Sequence, residues 1–374
     1  MTCVYWLILL LFCACAKAPA PSPPPLPVTV VSVEPQTVPA IFEFVGVGES
    51  SHVVDIRARV EGYLESFNYV EGGLVEEGQL MFVLDQRPFL AQVEHAQGEL
   101  ARQKAVLWNA EQTKNRMVPL YLQNAVSQRD LDNAIAELLT AEADVEKAQA
   151  DLYQADLNLG FASIEAPVNG LASQSKYRPG ALILPGASDE SLLTTVYVVD
   201  PIWVNFNVSD NDLLKLKKWI KEGRITVPPH RQFRVEAILG DGTVIPSEGT
   251  IDFMNPAVQQ NTGTLLIRAI LPNPNLAIYP GLFVKVKVFG ALYPNAMLVP
   301  QTAVVQGAAG PFVYVVKNGK AMAKPIVPGD WYQDYWIIDH GLDAGDIVIA
   351  KGVNRVRQGM PVTIQSMLPN RASP

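Results

Sequence analysis

Residues 56–78 read IRARVEGYLESFNYVEGGLVEEG, and residues 164–186 read IEAPVNGLASQSKYRPGALILPG. A shift of 108 positions aligns these segments without a gap, and eight of the 23 positions are identical. Chance at ordinary composition gives about one or two identities over this length. The identical pairs are Ile56 with Ile164, Ala58 with Ala166, Val60 with Val168, Gly62 with Gly170, Tyr69 with Tyr177, Gly72 with Gly180, Leu74 with Leu182 and Gly78 with Gly186. The chain therefore carries an internal repeat.

Each copy of the repeat is expected to form half of a small β-sandwich, over residues 54–87 and 161–195. Apolar residues alternate at the start of each copy, as in a strand, and the glycines mark turns. An A-x-V-x-G strand followed by a G-x5-G turn resembles the biotinyl/lipoyl domain. Carriers of that family hold their cofactor on a lysine in the hairpin that joins the halves. Neither Met-Lys-Met nor Asp-Lys-Ala occurs at the junction here, so we expect no covalent biotin or lipoate.

A long helical insertion, residues 88–160, separates the two copies and is predicted to be an antiparallel coiled-coil hairpin. Its second arm repeats apolar residues every seven positions, and its first arm shows a weaker form of the pattern. Pro88 suits the first turn of the first arm, Ser127 with Asp130 can form a capping box, and Gly160 suits the end of the second arm. The seam residues of the second arm are Leu138, Val145, Leu152, Leu159, Ala134, Ala141, Ala148 and Ala155.

Strand signals separated by turns dominate the rest of the chain. Residues 40–53 and 196–294 are predicted to form a small antiparallel β-barrel with one short helix, whose apolar face comprises Leu213, Leu216 and Ile220. Residues 28–39 and 295–364 are predicted to form a further β-domain, because the chain must run out through all domains and return. Residues 365–374 are a C-terminal tail.

The N-terminus looks like an export leader, over residues 1–15, followed by a proline-rich linker, residues 16–27. The three cysteines of the chain, Cys3, Cys13 and Cys15, all lie within the leader. Its apolar stretch is too short for a membrane-spanning helix but suits a signal peptide. Ala14 before Cys15 resembles the junction of bacterial lipoproteins, so we expect a lipid on Cys15. Lipidation of Cys13 and an uncleaved leader are the alternatives.

Composition excludes several classes of function. The net charge of −8 does not indicate the basic surface that nucleic-acid-binding proteins use. The four histidines are scattered, and no zinc-protease, nucleophile-elbow or phosphate-loop motif occurs. The methionines are spread along the chain rather than clustered as soft metal ligands. We therefore expect no catalytic residue, no cofactor and no metal site, and no nucleic-acid partner.

The whole chain resembles the periplasmic adaptors, or membrane fusion proteins, of tripartite efflux pumps driven by resistance-nodulation-division (RND) transporters. The resemblance rests on the split lipoyl halves, the segment PNPNLAIYPGLFVKVKV at residues 272–288, Leu298-Val299-Pro300 and the segment GLDAGD at residues 341–346. It implies a mainly β fold with an inserted α-hairpin. The elongated adaptor would comprise a membrane-proximal β-domain, a β-barrel, a lipoyl-like β-sandwich and an antiparallel coiled coil.

The resemblance also implies partners and a location. These adaptors sit in the periplasm of Gram-negative bacteria, held at the inner membrane by a lipid. They embrace a proton-driven RND transporter, reach a TolC-like outer-membrane channel with the hairpin, and assemble as a homo-oligomeric ring, usually of six. Drugs or other small molecules pass through the ring.

The channel-contacting motif of that family is an Arg, a Leu four residues later and a Ser seven residues beyond. Arg116, Leu120 and Ser127 stand at this spacing, at the predicted tip of the hairpin. Each also has an ordinary structural interpretation: a solvated helix residue, a local core residue and a helix N-cap. Pro119 departs from the pattern, because a proline restricts the preceding residue and can kink a helix.

Adaptors of ABC-type exporters and of type I secretion systems are the main alternative, since they share the split sandwich. They tend to have longer hairpins or a transmembrane anchor. The lipoprotein-like leader and the barrel segment therefore favour the RND family.

Overall fold

A computed structural model describes residues 24–186, 189–229 and 232–369. The fold is mainly β with one inserted helical hairpin, as the sequence predicted. The α-helices are α1 (Arg87–Leu122), α2 (Gln128–Phe161) and α3 (Asp210–Lys221). The strands are β1 (Leu26–Ser32), β2 (Pro35–Arg57), β3 (Gly62–Phe67), β4 (Leu74–Val75), β5 (Leu80–Leu84), β6 (Ser163–Glu165), β7 (Gly170–Ala172), β8 (Leu182–Ile183), β9 (Leu192–Ser209), β10 (Arg234–Ile238), β11 (Gly249–Met254), β12 (Thr264–Leu271), β13 (Phe283–Pro300), β14 (Val305–Gly307), β15 (Gly310–Lys317), β16 (Lys320–Pro325), β17 (Val327–Tyr332), β18 (Tyr335–His340), β19 (Ile347–Lys351) and β20 (Val362–Leu368).

The chain divides into two compact units. One comprises the chain up to Phe42, Asn211–Phe233 and the chain from Phe289; the other comprises Glu43–Asp210 and Arg234–Val288. Strand β2 is continuous over 23 residues and contributes to both units.

In the second unit the two copies of the repeat interlock. The amide of Gly72 donates to the carbonyl of Ala172 at 2.8 Å, and the amide of Gly180 donates to the carbonyl of Leu64 at 2.7 Å. These bonds are equivalent, because a shift of 108 turns one into the other. Gly72 and Gly180 have φ angles of 77° and 92°, which residues with a Cβ atom rarely adopt. Both copies contribute side chains to one hydrophobic core.

The same unit holds the longest β-ladders around β9. This strand pairs antiparallel with β2, along Gly46–Arg57, and with the whole of β12. Strand β11 then lies between β12 and β10. Buried and half-buried residues alternate along β12, so one face of this strand is more fully covered than the other.

The hairpin of α1 and α2 belongs to this unit and is inserted between β5 and β6. Pro88 lies in the first turn of α1, and Phe161 is the last residue of α2, one residue beyond the predicted glycine stop. Pro119 lies inside α1 without ending it. The two helices pack through small and aliphatic side chains, with Val93, Ala96 and Ala110 of α1 and Ala134, Leu138, Ala141, Val145, Ala148 and Ala155 of α2 buried. The residues of the seven-residue pattern therefore form the interface between the two helices.

The first unit contains a sheet in the order β14-β15-β19-β1-β20, with β16 on β15. Strand β1 pairs antiparallel with β19 and parallel with β20, so the start of the described chain joins its last strands. A hairpin of β17 and β18 pairs with the last four residues of β13.

Helix α3 packs in the first unit, and its predicted apolar face was wrong at one position. Trp219 is the buried residue and packs with Val38, Ala40 and Tyr293, while Ile220 is 38% exposed. Leu216 packs beside Trp219. The larger aromatic side chain of Trp219 occupies the core in place of the predicted Ile220.

Candidate functional site

The far end of the hairpin is a tight connection of five residues. Helix α1 ends at Leu122, Asn124 adopts a left-handed conformation with φ of 57°, and α2 begins at Gln128. The amide of Asn124 donates to the carbonyl of Tyr121 at 2.9 Å, and the amide of Ala125 donates to the carbonyl of Leu120, also at 2.9 Å. These bonds satisfy carbonyls that the end of a helix leaves unpaired. The tip is thus an ordered structure.

Ser127 caps α2, as its spacing to Asp130 predicted. The amide of Asp130 donates to the Ser127 hydroxyl oxygen at 3.3 Å, and the Ser127 amide donates to the Asp130 carboxylate at 3.1 Å. The Ser127 hydroxyl also donates to that carboxylate at 2.6 Å. These hydrogen bonds from Ser127 lower the pKa of the Asp130 carboxyl. Ser127 therefore has a structural role, whatever else it contacts.

Arg116 and Leu120 lie one turn apart on α1 and face the same side of the helix. Both are exposed; Leu120 keeps 39% of its surface accessible. The Arg116 guanidinium donates to the Thr113 hydroxyl at 3.3 Å, and no carboxylate pairs with it among the described residues. Because α1 continues through Pro119, the proline does not rotate these two residues away from each other.

The core of the hairpin stops short of the tip. The buried residues nearest the tip are Ala110 on α1 and Ala134 on α2, within the described chain. Leu120 is thus exposed and is not a local core residue. We therefore expect replacement of Arg116 or Leu120 to have little effect on helix packing.

Two apolar residues that the sequence reasoning missed are also exposed in the last turns of α1. Val118 and Leu122 are 38% and 75% exposed, and each lies two residues from Leu120, on the opposite side of α1. A signal was present, because Leu122 falls outside the seven-residue seam of α1. Arginine is enriched in protein-binding surfaces, and exposed apolar side chains often mark them.

Metal-binding groups and membrane-spanning helices were not found among the described residues. No group of three or more His, Cys, Asp or Glu residues in the described ranges is placed to hold a metal ion. In the same ranges, no helix combines the length and apolar character needed to span a bilayer. Cys15 and the leader lie outside the described residues.

Family models match three parts of the chain. The model described as "RND MFPs, beta-barrel domain" matches residues 201–291, and "RND MFP, alpha-helical hairpin domain" matches residues 92–162. A third, "YknX, C-terminal permuted SH3-like domain", matches residues 296–364. The first two carry the name of the family that the sequence resembles.

Curated relatives cover most of the chain. The efflux pump periplasmic linker BepD of Brucella suis is 36% identical over 89% of this chain and 84% of its own length. The multidrug efflux pump subunit AcrA of Escherichia coli K12 is 32% identical over 90% and 85%. The membrane fusion protein MtrC of Neisseria gonorrhoeae is 34% identical over 87% and 78%.

Solved structures share the fold. A MacA-MexA chimera carrying the Pseudomonas aeruginosa MexA α-hairpin domain aligns with a TM-score of 0.53 at 21% identity, over 86% of this chain and 99% of that one. MacA of Actinobacillus actinomycetemcomitans aligns with a TM-score of 0.50 at 20% identity, over 86% and 98%. Together with the family models and the relatives above 30% identity, this fold confirms the resemblance, and the chain belongs to the RND membrane fusion protein family of efflux adaptors.

Proposed function

We propose that this chain is the periplasmic adaptor of a tripartite efflux pump. It links an inner-membrane, proton-driven RND transporter to a TolC-like outer-membrane channel for export of drugs or other small molecules. Support comes from the family and from relatives named as efflux pump linkers and multidrug efflux subunits. The two RND-type family models, over the barrel and the hairpin, favour this function over an adaptor of an ABC-type exporter or a type I secretion system.

The observation that carries the proposal is the exposed tip of the hairpin. Helix α1 has 36 residues, so it is about 54 Å long at 1.5 Å per residue. Its last turns bury nothing in the hairpin core, yet they present Arg116 and Leu120. We infer that the apolar and cationic end of this arm is a binding surface, because it contributes nothing to the hairpin core. We assign Arg116, Leu120 and Ser127 to the contact with the channel.

The N-terminal segment supplies the membrane attachment in this proposal. A lipid on Cys15 holds the chain at the periplasmic face of the inner membrane, with residues 16–27 as an extended spacer. Acyl chains contribute about 0.8 kcal/mol per buried methylene, so two or more give stable anchoring. Residues 28–39 and 295–364 form the membrane-proximal domain, and residues 40–53 and 196–294 form the barrel. The adaptors form a ring of six; they carry no cofactor and catalyse no reaction.

A transport assay tests the proposal. A strain without this gene should accumulate a fluorescent efflux substrate, and the intact gene on a plasmid should restore export. A protonophore should abolish the restored export while cellular ATP is held constant, because the proposed transporter uses the proton gradient. Export that follows ATP instead would assign the chain to an ABC-type exporter, and unchanged accumulation in the deletion strain would refute a role in efflux.

A further inference from the structure

Pro119 occupies the centre of the outward face of α1 at the hairpin tip. At about 100° per residue, Arg116 and Leu120 lie about 60° and 100° from Pro119 on one side of the helix. Leu122 and Val118 lie about 60° and 100° away on the other side. All five residues are exposed. The proline therefore stands between the two exposed sides of the tip.

The half-buried residues of the same turns agree with this orientation. Met117 and Tyr121 each lie about 160° from Pro119, one on either side of the opposite face. Both are half-buried, as expected for side chains directed toward α2. Pro119 thus faces away from α2.

Pro119 also leaves one backbone carbonyl of α1 without its helical donor. The carbonyl of each residue in an α-helix accepts from the amide four positions later, and a proline has no N–H. The Asn115 carbonyl lacks that donor, although α1 continues past the proline. Nearby side-chain hydrogen bonds lead elsewhere: the Thr113 hydroxyl donates to the Asn109 carbonyl at 2.9 Å, and Arg116 donates to the Thr113 hydroxyl at 3.3 Å.

This carbonyl is accessible at the surface of the tip. The carbonyls of a helix point toward its C-terminus, which in α1 is the tip. A proline ring crowds the carbonyl four residues before it, and carbonyls on the solvent side of a helix tilt outward. Asn115 and Pro119 are both exposed. In the unbound protein, water can therefore donate to the Asn115 carbonyl.

Binding changes this balance, because a partner that covers the tip removes the water. The apolar side chains of Leu120 and Leu122 stand on either side of Pro119, so a partner that buries both also covers the Asn115 carbonyl. A carbonyl buried without a donor weakens binding. A partner that brings an N–H or O–H group to this point is therefore favoured over one that does not.

We propose that Pro119 determines which channel this adaptor accepts. It frees the Asn115 carbonyl as an acceptor for a side-chain N–H or O–H group of the channel. The inference rests on the channel contact proposed above and adds a polar centre to that contact. Pro119 acts through Asn115 and is a positioning residue.

The substitution Pro119→Ala tests this role, because alanine supplies the missing amide and closes the helical hydrogen bond. The full chain, with Cys15 and a C-terminal affinity tag, is cross-linked in cells that lack the native gene. Mass spectrometry then measures the amount of channel recovered per adaptor. We expect recovery to fall about tenfold, while hydrogen exchange in the last turns of α1 becomes slower. A more stable helix that binds less channel separates this effect from damage to the fold.

Two further variants separate the acceptor from the shape of the proline. An α-hydroxy acid at position 119, inserted by nonsense suppression, replaces the amide with an ester. It has no N–H and no ring, so recovery of the channel should stay near that of the wild type. The matched control is Pro88→Ala in the first turn of α1, where an added amide has no helical acceptor. Recovery should be unchanged there too.

Undiminished recovery with Pro119→Ala, an equal loss with the ester, or an equal loss with Pro88→Ala would each overturn the inference. The proposed function fails separately. A wild-type chain that recovers no channel would refute both, whereas equal recovery by the wild type and Pro119→Ala would refute only the role of Pro119.

Discussion

Replacing Arg116 and Leu120 should abolish efflux and leave the fold nearly intact. Arg116 makes one side-chain hydrogen bond, to Thr113, and Leu120 lies beyond the hairpin core. Each of Arg116→Asp and Leu120→Ser should therefore cost less than about 1 kcal/mol of unfolding free energy. Circular dichroism and the thermal midpoint of the full chain measure this cost.

The effect on binding is expected to be much larger. An apolar or cationic anchor in an interface can contribute about 2 kcal/mol, which corresponds to roughly 30-fold weaker association per contact. In a ring, the same loss recurs in every subunit, so avidity falls further. Drug accumulation and cross-linking to the channel should therefore resemble those of the deletion strain while membrane levels of the adaptor stay unchanged.

Arg102→Asp provides the matched control, because Arg102 lies midway along the same helix. This change removes the exposed ion pair between Arg102 and Glu99, which contributes little to stability. Efflux should survive it. Equal loss of export from Arg102→Asp would indicate general damage to the arm. Full export by the Arg116→Asp, Leu120→Ser double mutant would refute the assignment of the tip.

Three further predictions concern Ser127, Asp130 and Cys15. Ser127→Ala removes the cap of α2 and should cost about 1 kcal/mol, measured as faster hydrogen exchange in the first turn of α2, whereas unchanged exchange would contradict the cap. The hydrogen bonds with Ser127 lower the pKa of the Asp130 carboxyl in the folded state. The stabilisation of the fold by this carboxylate is therefore complete above its unfolded pKa of about 3.9 and is lost as the pH falls below that value. The difference in thermal midpoint between the wild type and Asp130→Asn should thus be constant from pH 7 to about pH 4 and shrink below, and a difference that grew on acidification would have the wrong sign. The mature protein should start at an acylated Cys15 by intact mass and acyl labelling, and Cys15→Ser should release it from the membrane; an unmodified N-terminus downstream of Cys15 would refute the anchor.

The repeat made the centre of the fold predictable from the sequence. Identical glycines at equivalent positions signalled turns, and Gly72 and Gly180 both adopt the left-handed backbone that turns require. The seven-residue pattern located the hairpin, because a coiled coil requires apolar residues at the same two positions of each heptad. The capping box placed the start of α2 at Gln128.

Features that depend on tertiary packing were less predictable. The sequence did not indicate that β2 runs without a break from Pro35 to Arg57. Strand pairing with distant segments decides where a strand bends, and local residues do not encode it. Helix α3 likewise buries Trp219 rather than Ile220, because the neighbouring core accepts the larger ring.

The position of the tip was predictable from the sequence, but the exposure of its side chains was not. The spacing of Arg116, Leu120 and Ser127 came from a resemblance, while the exposure of Leu122 came from the structure. The course of α1 through Pro119 also required the structure. A proline removes one backbone hydrogen bond, and whether the helix then ends depends on packing and on the turn that follows.

Co-purification from native membranes tests the central proposal most directly. The full chain, carrying a C-terminal affinity tag, is cross-linked in cells, and its partners are identified by mass spectrometry. We predict one inner-membrane RND transporter and one TolC-like channel with the wild-type chain, and the transporter without the channel from the Arg116→Asp, Leu120→Ser double mutant. Recovery of an ATP-driven exporter in place of the RND transporter, or undiminished recovery of the channel by the double mutant, would contradict it.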